Sequence, residues 1–469
     1  MADEPKLPAH LRALFGGDSE ISDAVEKRLD RTVDKISSGR IGRAFSLGKL
    51  AASGGSKLAM SKAKQLLGGD GTMSKSDGVK MALEMVETFA ELRGVAMKVG
   101  QMLSYVDDTL PPEVKKVLAM LQRDAPPMPF EVVKGRIEEE LGKPLDQLFA
   151  WFDETPLAAA SIGQVHKARL PDGTEVAVKV QYPGIEKAMG ADLKNGKILS
   201  IFQRALFFRT NTKAILGELE QRLMDECNYL KEADYQETFG ERFAGHPTIV
   251  VPAVHRSHTT QRVLVTTLQK GLSFYEWLAN NPSEAERRHA CRTFYRFYLG
   301  SFYLDGLFNC DPHPGNYLFL DGGKICFLDY GCSRPFPEER RLAWIRCAKA
   351  VRRDEPVELE AAGRAVGFLP PEVKEFDRAA FRSLMRHLYA PYLADVEYEF
   401  HRHKPQETFK QMFTDNPNLF KLDMPADAVF LNRITFGVVS LLTDIGAPLN
   451  CYRLADSYFA GVDPDWPGH

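Results

Sequence analysis

The chain has 469 residues, of which 44% are hydrophobic and 26% charged, with a formal net charge of −3. Such a chain can bury a large core, and its near-neutral balance argues against the strongly basic domain of a nucleic-acid binder, so no nucleic acid is expected as a partner. Seven scattered cysteines form no CxxC pair and none clusters with histidine, which argues against a disulfide framework or a zinc site.

Residues 1–75 read as a polar leader. Its start, Met-Ala-Asp-Glu-Pro, has neither a signal core nor an Arg-rich transit pattern. From Lys35 to Gly69 it carries Lys35, Arg40, Arg43, Lys49, Lys57, Lys62 and Lys64 with no acid, interspersed with leucines. Two readings stand side by side: a flexible solvated arm, or a segment lying on an anionic membrane surface, where each cation contributes ~1 kcal/mol. A helical extension over 76–150 follows. In it Val79, Ala82, Met85, Val86, Phe89, Leu92, Ala96 and Val99 recur at helical spacing as far as about Ser104.

From 151 to 269 the texture becomes strand-rich. Gln164–Arg169 and Thr174–Gln181 read as strands joined by the turn Pro171-Asp172-Gly173, and Ile249–Pro252 and Arg262–Leu268 as two more, with a helix from about Ala214 to Phe239 between the pairs. From 270 to 469 the pattern is mainly helical, apart from strands at Tyr317–Leu320 and Lys324–Leu328 around Gly322-Gly323. A small strand-rich lobe followed by a larger helical one is an α+β fold. The best apolar run, Ile434–Leu442, is about half of the ~20 residues a membrane span needs. The chain is therefore expected to be cytoplasmic or peripheral to a membrane, with no transmembrane helix and no signal peptide.

The sharpest chemical signal is Asn309-Cys-Asp-Pro-His-Pro-Gly-Asn316 followed by Phe327-Leu-Asp-Tyr-Gly331. Phosphoryl transfer needs Mg²⁺ against the phosphates, and Mg²⁺ takes a few carboxylate or amide oxygens. Asp311 precedes Asn316 as the catalytic Asp precedes Asn in the kinase HRDxxxxN pattern, and Asp329-Tyr330-Gly331 stands where kinases have Asp-Phe-Gly. The expected roles are Asp311 beside the nucleophile and Asn316 with Asp329 as metal ligands. Either piece alone would read as a polar turn; in order, after a strand-rich lobe, they read as an ATP and Mg²⁺ site in a two-lobed, protein-kinase-like fold.

Lys179, closing the strand Val176-Ala-Val-Lys, is the candidate for holding the α- and β-phosphates. It needs a carboxylate on a helix, for which Glu232 is the first candidate and Glu226 its rival. Where kinases have a glycine-rich loop, this chain has Leu157-Ala158-Ala159-Ala160-Ser161-Ile-Gly-Gln164. Alanine lacks glycine's access to positive φ, so a stiffer loop is expected, with Ser161 as a phosphate contact. After Gly331 there is no long activation segment and no Ala-Pro-Glu, which argues against a peptide substrate.

Together these residues resemble the UbiB (AarF) family of atypical kinases, over most of the chain from about residue 40. The most specific mark is Lys98-Val-Gly100-Gln101, the family's KxGQ motif, on the long helix upstream of the lobes. The resemblance implies that this helix lies over the active site as a lid, with Lys98, Gly100 and Gln101 facing it and Lys98 paired to Glu226, the first residue of the ExD motif. Glu232 would then partner Lys179. Two positions depart from the pattern: Asn228 stands for the ExD aspartate, and Thr267 for the hinge glutamate. The resemblance further implies a role with isoprenoid quinones, ubiquinone above all, through an ATPase-like activity at membranes. The partners it implies are ATP, a lipid or quinone-related small molecule, an anionic membrane surface and quinone-biosynthesis enzymes. The alternative kept is a pseudokinase scaffold that binds nucleotide without turnover.

Overall fold

The computed structural model describes residues 128–160, 162–187, 224–401, 416–418, 421–423 and 425–466. The leader over 1–75, Lys98, Gly100 and Gln101 of the KxGQ helix, and Ser161 lie outside the described residues.

In chain order the elements begin with α1 (Phe130–Leu141), α2 (Leu145–Leu148), β1 (Trp151–Phe152), β2 (Ala158–Ala160), β3 (Gly163–Arg169) and β4 (Glu175–Gln181). They continue with α3 (Tyr229–Arg242), β5 (Ile249–Val250), β6 (Val263–Thr267), β7 (Leu272–Ser273), α4 (Phe274–Ala279) and α5 (Glu284–Tyr295). A π-helix (Arg296–Asp305) leads into β8 (Leu307–Asn309), β9 (Tyr317–Phe319), β10 (Ile325–Phe327) and β11 (Ser333–Pro335). The chain then runs through α6 (Glu338–Arg353), α7 (Pro356–Val366), α8 (Arg378–Leu388), α9 (Ala426–Ile445) and α10 (Cys451–Phe459).

The first sheet has the order β1-β3-β4-β6, with β2 also on β3, and its described ladders are antiparallel. Strand side chains alternate between faces. Val176, Val178 and Val180 of β4 therefore share one face, packed with Val263 and Val265 of β6 and with Val133 and Ile137 of α1. Lys179, out of phase with the valines, is carried on the other face.

The helices α1 and α2 complete this core through Val133, Ile137, Leu145, Leu148 and Phe149. The small lobe thus reaches back to about residue 128 instead of beginning at 151, because the back of the sheet needs an apolar cover. Two other expectations shift. Ile249–Val250, read as a small-lobe strand, pairs in parallel with β10 in a second sheet of order β5-β10-β9-β7. The helix expected over Ala214–Phe239 is interrupted at Cys227–Asn228 within its described part. There the Asn228 side chain accepts from Leu230 N–H at 3.1 Å and starts α3 as its N-cap.

The larger lobe is built around aromatic packing. Phe297 of the π-helix stacks on Phe327 of β10 at 3.6 Å between ring centroids and on Phe239 of α3 at 5.2 Å. All seven cysteines are buried, and none is paired in a disulfide. Among the described residues, no helix is long and apolar enough to cross a membrane.

Candidate functional site

Lys179 extends from β4 to α3, where its Nζ donates to Glu232 Oε1 at 2.7 Å and Oε2 at 2.9 Å, and lies 3.7 Å from Asp329 Oδ2. Tyr229, one turn before Glu232, places its ring 5.0 Å beneath the ammonium. Glu232 side-chain exposure is 4%, Lys179 17% and Asp329 31%, so the cluster opens toward solvent on the Asp329 side. Burial opposes the charge on Lys179, but Asp329 and Glu232 outweigh it and hold the ammonium well above the ordinary lysine range. Burial pushes the Glu232 carboxyl up to about 7, against the pull of Lys179. The choice between Glu232 and Glu226 is thereby decided in geometry: Glu232 grips the lysine.

The second half of the site hangs from the β8–β11 ladder, in which Ser333 faces Asn309 and Arg334 faces Phe308. This pairing brings the turn after β8 beside the Asp-Tyr-Gly segment. Asn309 joins them: its Nδ2 donates to the Asp329 carbonyl at 2.6 Å, and its Oδ1 accepts from Asp311 N–H at 2.8 Å. Asn316 Nδ2 donates to Asp311 Oδ2 and to the Asp311 carbonyl, each at 3.2 Å. Leu328 N–H donates to the Asn316 carbonyl at 3.0 Å, so the strand leading to Asp329 is fastened to the turn carrying Asn316. Asp329 Oδ1 accepts from Gly331 N–H at 2.9 Å. A Cβ at residue 331 would stand 3.3 Å from Asp329 Oδ1 and 3.4 Å from Glu232 Oε2, so the glycine makes room for both carboxylates.

Asp311 and Asn316 therefore form one pair, Lys179, Glu232 and Asp329 form one cluster, and Asn309 couples the two. Among the described residues no group of three or more His, Cys, Asp or Glu is gathered closely enough to cage a metal. The donors here are carboxylates and an amide, the kind Mg²⁺ takes together with water and phosphate oxygens. Ala158, Ala159 and Ala160 form β2, paired with Val165, Gln164 and Gly163 respectively, so the alanine-rich loop is the outer arm of a hairpin. Glu226 is buried, and Cys332 Sγ donates to its Oε1 at 3.3 Å. Thr267, at the hinge position, bonds through Oγ1 to His255 Nε2 at 3.1 Å.

Sequence reasoning left Asn309, Tyr229 and Cys332 without roles. Asn309 was legible, since it stands two residues before Asp311, where the kinase pattern has histidine. Tyr229 and Cys332 carry no sequence signal of their own. Tyr330, by contrast, packs as its motif position suggests, 5.2 Å from Phe239, with its hydroxyl on the Phe327 carbonyl at 3.0 Å.

Two lobes, a lysine–glutamate pair between β4 and α3, and a hairpin bearing an Asp-Tyr-Gly segment define a protein-kinase-like domain. The ABC1 atypical kinase-like domain family matches residues 120–358. The chain is 32% identical over 373 residues to the rat mitochondrial atypical kinase COQ8B, covering 78% of this chain and 70% of that one. It is 28% identical over 448 residues to the yeast (Saccharomyces cerevisiae) mitochondrial atypical kinase COQ8, covering 93% and 88%. In structure it is similar to Rv3197 of Mycobacterium tuberculosis, solved as a complex with erythromycin. There the TM-score is 0.58 at 26% identity, over 81% of this chain and 97% of that one. This chain belongs to the ABC1 (UbiB/AarF) family of atypical kinase-like proteins.

Proposed function

We propose that this chain binds ATP with Mg²⁺ between its lobes and acts as an atypical kinase or ATPase in isoprenoid-quinone (ubiquinone) or membrane-lipid metabolism. The observation that carries the reading is Lys179 Nζ, bonded to Glu232 at 2.7 Å and 3.7 Å from Asp329. A largely buried, charged lysine held at the edge of an open carboxylate is arranged to receive phosphate oxygens. Asn316 and Asp329 would hold Mg²⁺, which supplies charge neutralisation at the phosphates when bound. Lys179, oriented by Glu232, holds the phosphate chain, and Asp311 takes the proton of the attacking hydroxyl or water. Asn316 fixes the Asp311 carboxylate through its Nδ2 and keeps its amide oxygen as the metal donor.

The acceptor is a small or lipid-like molecule, or water. Residues 332–337 are all that lie between Gly331 and α6, which leaves little chain to build a peptide platform. The quinone assignment follows the relatives named COQ8B and COQ8, and the basic leader suits weak attachment to an anionic membrane.

A single-turnover assay with γ-labelled ATP, with and without anionic liposomes, tests the chemistry. Labelled phosphate or labelled lipid is expected, and Asp329→Asn should abolish it. Tight nucleotide binding with no product over hours would make the chain a scaffold instead. Quinone levels in a strain lacking the gene should fall and be restored by the native chain but not by Asp329→Asn; unchanged quinones would contradict the pathway assignment.

A further inference from the structure

We infer that Gly437, on α9, is a positioning residue for Asp311 and acts through Pro312. The inference rests on the reading of Asp311 as the catalytic carboxylate. Asp311 opens the turn Asp311-Pro-His-Pro-Gly-Asn316, in which two prolines fix φ and leave little give. One end of the turn is held by hydrogen bonds. The Asp311 carbonyl accepts from Tyr298 O–H at 3.3 Å and from His313 N–H at 2.8 Å, and its N–H is held by Asn309. Tyr298 is in turn bonded to Tyr317 at 2.6 Å between hydroxyls.

The other side of the turn rests on α9. The Pro312 ring fills a gap that exists because residue 437 has no side chain. A Cβ there would stand 2.2 Å from Pro312 Cγ, 3.2 Å from Cβ and 3.4 Å from Cδ. Ordinary carbon contacts are ~3.5–4.0 Å, so even alanine must drive helix and turn apart by roughly 1 Å. The helix is poorly placed to yield, since Ile434, Val438, Leu441 and Leu442 are all buried in the main core. A glycine in mid-helix costs helix stability relative to alanine, and it stands opposite the residue that follows Asp311. Displacement falls on the stiffer, smaller body, the turn, and moves Asp311 relative to Lys179 and Asp329, which are carried on other elements.

The test compares Gly437→Ala, Pro312→Ala and the double variant in steady-state ATP hydrolysis. Misplacement of a catalytic group by ~1 Å costs on the order of 10²-fold. Gly437→Ala should therefore lower kcat by about 10–100-fold while leaving KM for MgATP within about twofold. Adding Pro312→Ala, which removes the clashing Cγ, should recover most of the loss. A merely structural role would change KM and thermal stability together and would gain nothing from Pro312→Ala. Native turnover in Gly437→Ala, or no recovery in the double variant, overturns the inference. If Gly437→Ala fails to fold, a double variant that folds and turns over supports the proline contact, and a double variant that also fails overturns it. Asp311→Asn separates the two readings: unchanged hydrolysis there would refute Asp311 as the catalytic group. In that event, or if the native chain does not turn over, a crystal structure of Gly437→Ala decides. An Asp311 carboxylate shifted relative to Asn316 supports the inference, and an unmoved turn refutes it.

Discussion

Two clusters in this molecule each set a cation between two carboxylates, Arg242 also reaching Asp305 in the second at 3.3 Å, and they differ in nearly everything else. In the first, Lys179 is flanked by Glu232 and Asp329, and Asp329 is 31% exposed. In the second, Arg296 of the π-helix is flanked by Asp463 and Asp305, with side-chain exposures of 3%, 4% and 6%. The guanidinium spreads its donors over both acids and lies 4.8 Å over the Phe243 ring. His246 accepts from Thr248 and Ile249 N–H through Nδ1, which leaves its ring proton on Nε2, 3.8 Å from Asp463. The sealed cluster is a fastener, tying the segment after α10 to the end of α3 and to the π-helix. The open one keeps a carboxylate available for a ligand. Burial of the second carboxylate, more than the count of charges, separates an anchor from a site.

The largest expected effect lies in the sealed cluster. Arg296→Leu leaves buried Asp305 with Arg242 and buried Asp463 with His246 as their remaining partners, and should cost ~3–5 kcal/mol of stability in urea unfolding. A cost under ~1 kcal/mol would mean that water reaches Asp463 and Asp305.

The clusters should also respond to pH with opposite sign. Burial alone would raise the Asp463 carboxyl, but His246 and Arg296 outweigh it and hold it down at about 2. Its contribution, about 2 kcal/mol, is present above the ordinary carboxylate range and lost as pH falls toward 2. Glu232, raised to about 7, favours the folded state in acid; that contribution is present below the ordinary glutamate range and lost as pH rises through 7. Unfolding followed from pH 3 to 8 in Asp463→Asn and Glu232→Gln should flatten the acid limb and the neutral limb respectively. If both variants track the native curve, neither carboxylate is perturbed.

Lys179→Met should cost less stability than Arg296→Leu, about 1–2 kcal/mol at pH 7, because Glu232 can take a proton when its partner is gone. The same variant should nevertheless lose ATP turnover. A stability loss matching that of Arg296→Leu would make Lys179 an anchor too. The smallest effect belongs to Asn228, which caps the helix carrying Glu232. Asn228→Ala should cost ~1 kcal/mol, while Asn228→Asp keeps a capping oxygen and should stay within ~0.5 kcal/mol. Equal losses in thermal melts would show that the cap carries no weight.

The open cluster was legible in the sequence and the sealed one was not, for a physical reason. Lys179 and Asp329 sit in short segments, Val-Ala-Val-Lys179 and Asp329-Tyr-Gly, that match kinase patterns, so each leaves a local signature. Arg296 and Asp305 stand at the two ends of the π-helix and meet Asp463 only through the packing of the distant segment after α10, and any buried cation would need such partners. Strand pairing across the lobes was hidden for the same reason: Ile249–Val250 has ordinary strand composition, and only tertiary packing decides that it joins β10. The early edge of the small lobe was hidden too, because Val133 and Ile137 read equally well as an extension helix until the valines of β4 need covering.

Titration calorimetry of the full chain with ATP, in Mg²⁺ and in excess EDTA, tests the central claim most directly. Magnesium-dependent binding is expected, weakened by Asp329→Asn by about tenfold or more, ~1.4 kcal/mol, while Arg296 and its partners stay folded. Binding heats indifferent to magnesium and to Asp329 would contradict it.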